Sequence, residues 1–152
     1  MRTDSRLSRM LHVLLHMARH ERPFTSEQIA LMLQTNPVVV RRTLSGLRQA
    51  GYVTAEKGHH GGWRLSCDLN QVTLLDIHKA VSSPRIFALG YEDPQSACAV
   101  EQLVNDAIGE TLRQAEALLL EKLASVTLAD LLRDFDRICS DNGWGPHGPA
   151  QG

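Results

Sequence analysis

Residues 25–65 read TSEQIALMLQTNPVVVRRTLSGLRQAGYVTAEKGHHGGWRL, and the punctuation of this stretch decides the fold. Thr25 stands three residues before Gln28, so its hydroxyl can accept the Gln28 amide while the Gln28 side chain reaches back to the Thr25 amide. The helix so started carries Ile29, Ala30, Met32 and Leu33 and is short, because Gln34, Thr35 and Asn36 interrupt it. Asn36-Pro37 restarts a helix at once: Asn is a favoured N-cap, and Pro fits the first helical position, where its missing N–H is no loss. Across residues 38–50 Val40, Leu44 and Leu47 share one face, and Gly51 is the stop. The valines at 38–40 resist helix slightly, but cap and spacing outweigh them. Two β-favouring segments, 52–57 and 63–66, joined by Gly58-His59-His60-Gly61-Gly62, read as a hairpin.

Upstream, residues 6–19 carry Leu7, Met10, Leu11, Leu14, Leu15, Met17 and Ala18 at steps of three and four, the stripe of an amphipathic helix ending before Pro23. Downstream, Thr73 opens a short helix to Val81 with Leu74, Leu75, Ile77 and Val81 inward. Residues 82–94, with two prolines and a glycine, read as irregular. From 96 to 123 the apolar positions Val100, Val104, Ile108, Leu112, Ala115, Leu119 and Leu123 recur every three or four residues. Such a helix would reach about 40 Å, more than this chain can cover with its own atoms, so part of it should pack on a second copy. Thr127, with Asp130 three residues on, starts a last helix burying Leu128, Leu131, Leu132 and Phe135, and a Gly- and Pro-rich tail follows.

Helix, helix, helix, hairpin is the order of a winged helix-turn-helix. The expected class is therefore mainly α with a small β-hairpin (α+β), a winged helix-turn-helix plus a long dimerisation helix. The divisions are 1–82 for the DNA-binding domain, 83–95 for a connector, 96–138 for dimerisation helices and 139–152 for a flexible tail. There is no internal repeat.

The net charge of -1 hides an asymmetry: residues 1–66 hold 10 Lys and Arg against 4 Asp and Glu, whereas residues 67–152 hold 6 against 13. A basic front and an acidic back suit a module that meets a polyanion with one end. No run of 18 apolar residues occurs, and Arg6, Arg9, His12, His16 and Arg19 interrupt the first helix, so neither a signal peptide nor a membrane span is expected and the chain reads as cytoplasmic. Cys67, Cys98 and Cys139 form no CxxC pair, which argues against a zinc ribbon or disulfide framework and for free thiols.

Surface chemistry points to duplex DNA. On the third helix Arg41, Arg42, Ser45 and Arg48 lie off the apolar face, and arginine is the side chain that most often reads guanine O6 and N7 in the major groove. Arg41 and Arg42, near the start of that helix, are the expected base readers, and Arg48 is an expected phosphate contact. Solvated surface arginines are the alternative. Thr25, Ser26 and Asn36 sit at helix starts, where amides favour a phosphate, although capping alone explains them equally well. Pro37 and Val39 accompany them on the reading helix. In the wing, Lys57, His59 or His60, and Arg64 supply donors while glycines let the backbone approach a groove, a plain hairpin turn being the alternative. Trp63 reads as a packing anchor between wing and helices.

Residues 35–42 (TNPVVVRR), 47–53 (LRQAGYV), 57–65 (KGHHGGWRL) and 73–77 (TLLDI) together resemble the Rrf2 family of bacterial regulators, which includes IscR, NsrR and CymR. The likeness covers roughly residues 1–135. It implies a winged helix-turn-helix on a long dimerisation helix, with the dimer on a two-fold operator, usually to repress. Iron–sulfur members of that family group three cysteines at the start of the long helix; here residues 92–108 contain only Cys98. The chain therefore resembles the cluster-free, single-cysteine branch, and neither a cofactor nor a metal is expected.

A thiol at a helix start is disposed towards thiolate, so Cys98 is a candidate sensor; the alternative is a small packed residue at the dimer interface. That interface is expected to comprise Val100, Val104, Ile108, Leu112, Ala115 and Leu119. His12, His16 and His20 share a helix face and could pair on a divalent ion, but packing explains His12 and His16 as well, and any small-molecule effector is unknown from sequence. No nucleophile with a positioned base, phosphate loop or catalytic carboxylate pair is visible, so no enzyme is expected. A protein-docking winged helix without duplex binding is the competing class.

Overall fold

The computed structural model describes residues 4–81 and 98–145. The expected connector at 83–95 and the end of the tail at 146–152 lie outside them. Eight elements follow in order: α1 (Arg6–Arg19), α2 (Ser26–Met32), α3 (Pro37–Gln49), β1 (Val53–Glu56), β2 (Gly62–Leu65), α4 (Leu74–Ala80), α5 (Ala99–Ala124) and α6 (Leu128–Asp141). This is the mainly helical, two-stranded class expected from sequence.

The three T-x-x-[QD] starts all close as reciprocal boxes. Thr25 caps α2 with Gln28, Thr73 caps α4 with Asp76, and Thr127 caps α6 with Asp130. Each satisfies two amides that the first turn would otherwise leave without partners. At α3 the Asn36 Oδ1 accepts the Val38 amide at 2.7 Å, with Pro37 in the first turn. The turn between α2 and α3 closes by a left-handed Gln34 (φ 50°), and the Thr35 amide donates to the Ala30 carbonyl at 2.9 Å.

One core lies beneath these elements. Val13 and Leu14 from α1, Ile29 from α2, Val40, Leu44 and Leu47 from α3, Val53 from β1, Ile77 from α4 and Leu128 from α6 are all fully buried. The 40/44/47 face inferred from spacing is thus the inner face of α3. Leu128 brings the far end of the chain into this core, so α6 is anchored to the helix-turn-helix unit although it follows the long helix. Gly46 permits close packing here: a β-carbon at that position would lie 2.3 Å from the Ala80 carbonyl oxygen.

The hairpin pairs Val53 with Leu65 and Glu56 with Gly62, antiparallel. Phe24 adds a third, one-residue rung: its amide donates to the Trp63 carbonyl at 3.0 Å and its carbonyl accepts from Trp63 at 2.7 Å. Only glycine fits at 62, because φ is 152° and a β-carbon would meet the Phe24 carbonyl oxygen at 2.5 Å. Trp63 is buried and its Nε1–H donates to Ser26 Oγ at 3.0 Å, which makes it the anchor between wing and helices that the sequence suggested.

Two boundaries differ from expectation. Helix α6 continues to Asp141, so Cys139 is a buried helical residue and the tail cannot begin at 139; the capping box and the amphipathic stripe carry the helix up to Asn142, just before the first glycine of the tail, Gly143. Helix α5 begins at Ala99, with Cys98 as its N-cap. Of its 26 residues, spanning about 39 Å at 1.5 Å each, only Gly109 is buried.

Candidate nucleic-acid interface

The helix-turn-helix presents α3 outward beside the wing. Arg41, Arg42 and Arg48 are exposed, Val39 is half exposed, and Ser45 and Pro37 are partly covered. Between the wing tip and the start of α2 lies an open groove of about 740 Å³ lined by Arg22, Pro23, Thr25, Gln28, Gly58, His59, His60 and Gly61. It brings together two regions that sequence reasoning kept separate. Arg22 joins the site unannounced: it follows Glu21 in the short link after α1, and only the fold, through the Phe24–Trp63 rung beside it, brings it to the wing. Lys57 is exposed at the base of the wing tip, where the His59 and His60 rings meet edge to face at 5.0 Å.

Two expected contacts are committed elsewhere. Ser26 is buried and its hydroxyl holds the Trp63 indole, so it cannot also meet a phosphate. Arg64 turns towards the wing's own base: its Nε donates to Glu56 Oε1 at 3.0 Å and its Nη1 to the Glu21 carbonyl. Thr25 and Asn36 act as caps, and Thr25 also lines the groove. Arg41 is exposed but tethered, as its Nη2 donates to Glu27 Oε1 at 2.8 Å.

Along α5 the expected interface divides. Val100 and Val104 are exposed, as are Leu103 and Leu118, which the expectation omitted, whereas Ile108, Leu112 and Ala115 are half-buried and Leu119 sits at the boundary. At about 100° per residue, Val100, Leu103, Val104 and Leu118 fall on one side of the helix. Among the described residues, no helix is long and apolar enough to cross a membrane.

The thiols have distinct environments. Cys98 is exposed, and the amides of Glu101 and Val100 pull it below the ordinary thiol range. Burial pushes the Cys67 thiol up, and Cys139 is buried in α6. His12 and His16 bring their Nε2 atoms to 3.0 Å of each other, a hydrogen bond between neighbouring turns of α1.

A three-helix head with a reading helix and a wing, basic on one face and continued by a long helix, defines the class of winged helix-turn-helix transcription regulators. The family model that describes Rrf2 as an iron-dependent transcriptional regulator matches residues 3–134. The candidate HTH-type transcriptional regulator YwnA of Bacillus subtilis is 33% identical over 129 residues, covering 85% of this chain and 96% of that protein. Protein rrf2 of Nitratidesulfovibrio vulgaris is 29% identical, covering 86% of this chain and 85% of its own length. In fold, a crystal structure of a candidate transcriptional regulator from Lactobacillus plantarum superposes with a TM-score of 0.72 at 23% identity, over 91% of this chain and 95% of that one. The chain belongs to the Rrf2 family: it is a DNA-binding transcriptional regulator and not an enzyme.

The family's description names iron, and the donors here do not fit a cysteine-held cluster. Cys98 is the one cysteine between residues 82 and 138. Among the described residues no three His, Cys, Asp or Glu side chains converge on a common point.

Proposed function

We propose that this regulator works in the cytoplasm as a homodimer that grips a two-fold DNA operator and represses from it, and that it belongs to the cluster-free, single-cysteine branch of its family. Residues 1–82, with α6 packed on them, form the reading head, α5 the dimerisation element, and 83–95 the link between them. Arg41 and Arg42 read bases; Arg48, Lys57, Arg22 and a wing histidine hold phosphates, with the Asn36 and Thr25 helix starts beside them. The signal is a small molecule or a redox change, and Cys98 is its candidate receiver.

The observation that carries this reading is the groove between wing and α2, which Arg22, His59 and His60 line together with Thr25 and Gln28 at the start of the helix-turn-helix. A duplex laid there meets donors from two elements, the arrangement by which phosphate contacts orient a helix for base contacts. Replacing Arg41 and Arg42 together with Ala is expected to abolish sequence preference while leaving salt-sensitive binding to any duplex. A genome-wide footprint of the wild-type protein, with the double variant as control, tests this; unchanged selectivity would show that these arginines are not the readers.

A further inference from the structure

We infer that Glu27 is a positioning residue that fixes the direction of the Arg41 guanidinium and so helps determine which base the protein selects; this rests on the DNA-reading role proposed above for Arg41. The two side chains come from the two helices of the helix-turn-helix, 14 residues apart, and Arg41 Nη2 donates to Glu27 Oε1 at 2.8 Å. Their side chains are 53% and 64% exposed, so the ion pair contributes little to stability. Nor does it aid DNA affinity as such. Glu27 is the single acidic residue between positions 22 and 55, a stretch with four arginines, and a carboxylate on a face that meets phosphates weakens binding by like-charge repulsion.

What the carboxylate supplies is geometry. A guanidinium is a planar fork with five donors, and holding one nitrogen fixes the plane in which the others point. Arg41 then approaches the groove with its remaining donors already directed, which lowers the ordering cost of a two-point contact to guanine. Among the described residues Arg42 has no such carboxylate, so the two neighbouring arginines are not equivalent. The competing account makes Glu27 a first-turn acid that complements the dipole of α2. That role would appear in stability alone.

The test uses full-length protein and duplexes with a random core of about 20 base pairs, long enough for two half-sites. Wild type, E27A, E27D, R41A and the E27A/R41A double variant each select from this pool. Affinity is then measured for the wild type's preferred duplex and for the unselected pool. E27A is expected to bind the unselected pool several-fold tighter, since a repulsive charge is gone, yet to discriminate about tenfold less, the value of part of one good base contact. The lost preference falls at the base pair that R41A also ceases to select, and E27A adds no further loss in the R41A background. E27D, which keeps the charge but shortens the reach, loses discrimination without gaining pool affinity. Full discrimination by E27A, or equal losses with and without Arg41, overturns the inference, as does a drop in melting temperature as its sole effect. If the wild type enriches no sequence, or R41A enriches the same one as the wild type, the reading role of Arg41 fails first; if R41A loses a preference that E27A keeps, only the inference about Glu27 fails.

Discussion

Thr73 and Thr127 face each other across an antiparallel β-bridge, and each is the N-cap of the helix that follows it. The Leu74 amide donates to the Val126 carbonyl and the Leu128 amide to the Val72 carbonyl, both at 2.9 Å. Two capping boxes therefore stand back to back, and they fasten α6 to the reading head where Leu128 enters its core. Thr73→Ala is expected to cost about 1 kcal/mol, the usual value of a lost cap. Because the two threonines share the bridge, the Thr73→Ala/Thr127→Ala double variant should differ from the sum of the singles. Urea unfolding of the three variants checks this; strict additivity would mean that the caps act independently.

Asp130 gives the same joint a pH dependence. The Thr127 backbone amide, then the Thr127 hydroxyl, hold its carboxyl below the usual carboxylate range, with Arg133 adding to the effect. A folded-state pKa below the unfolded value, about 3.9, gives stability that is present above that value and lost as pH falls through the folded pKa. Asp130→Asn should therefore lower the urea midpoint at pH 7 and flatten its decline as pH falls below about 4. A variant as acid-sensitive as the wild type would place the titrating group elsewhere.

How much of this was legible follows the sequence distance over which each feature is decided. The boxes at Thr25, Thr73 and Thr127 are three-residue chemistry, and the Val40, Leu44, Leu47 face is a single helix's periodicity; both could be read directly. Ser26 and Arg64 could not, because their partners Trp63 and Glu21 lie 37 and 43 residues away and only folding brings them near. An isolated serine or arginine looks the same whether it faces solvent or is held. Along α5 the ladder 100, 104, 108, 112 turns by about 40° at each four-residue step, so it drifts from the exposed side to the covered one. Leu103 and Leu118 complete the exposed side but fall off that ladder.

Gly46 sets the distance between α3 and the end of α4. Alanine normally improves a helix interior by about 1 kcal/mol over glycine. Here the added carbon would sit 2.3 Å from a backbone oxygen of Ala80, which cannot rotate away as a side chain would. Overpacking of this kind costs about 1–3 kcal/mol, so the clash wins and Gly46→Ala should lower the melting temperature by several degrees. Since α3 carries the arginines proposed to read bases, the same variant should also weaken operator binding. An unchanged or raised melting temperature would show that the helices can separate without cost.

The three thiols should react in a fixed order. Thiolate is the reactive form, Cys98 is exposed with its pKa lowered, Cys67 is raised by burial, and Cys139 is buried. Alkylation of the native protein should label Cys98 first, and its rate against pH should level off below the range of an ordinary thiol, about 8.5. Peptide mapping after brief iodoacetamide exposure reads this directly. Labelling led by Cys67 would contradict the assigned environments and remove Cys98 as candidate receiver of a redox signal.

The exposed side of α5 makes the strongest demand on a second copy of the chain. Leu118 is 66% exposed and Leu103 71%, on a helix whose other side is partly covered by its own chain. Burying one such leucine fully is worth about 1.5–3 kcal/mol, and a two-fold contact buries each residue twice. Leu118→Asp places a charge at that contact in both copies and should convert the dimer to monomer in sedimentation. With one head per particle, the second half-site is no longer engaged at high effective concentration, and affinity for a two-fold operator should fall about a hundredfold. Single half-sites should be bound as before, because the reading head is untouched. A variant that remains dimeric would place the interface on another face of the helix, and one that is monomeric yet binds the full operator unchanged would remove dimerisation from the recognition step.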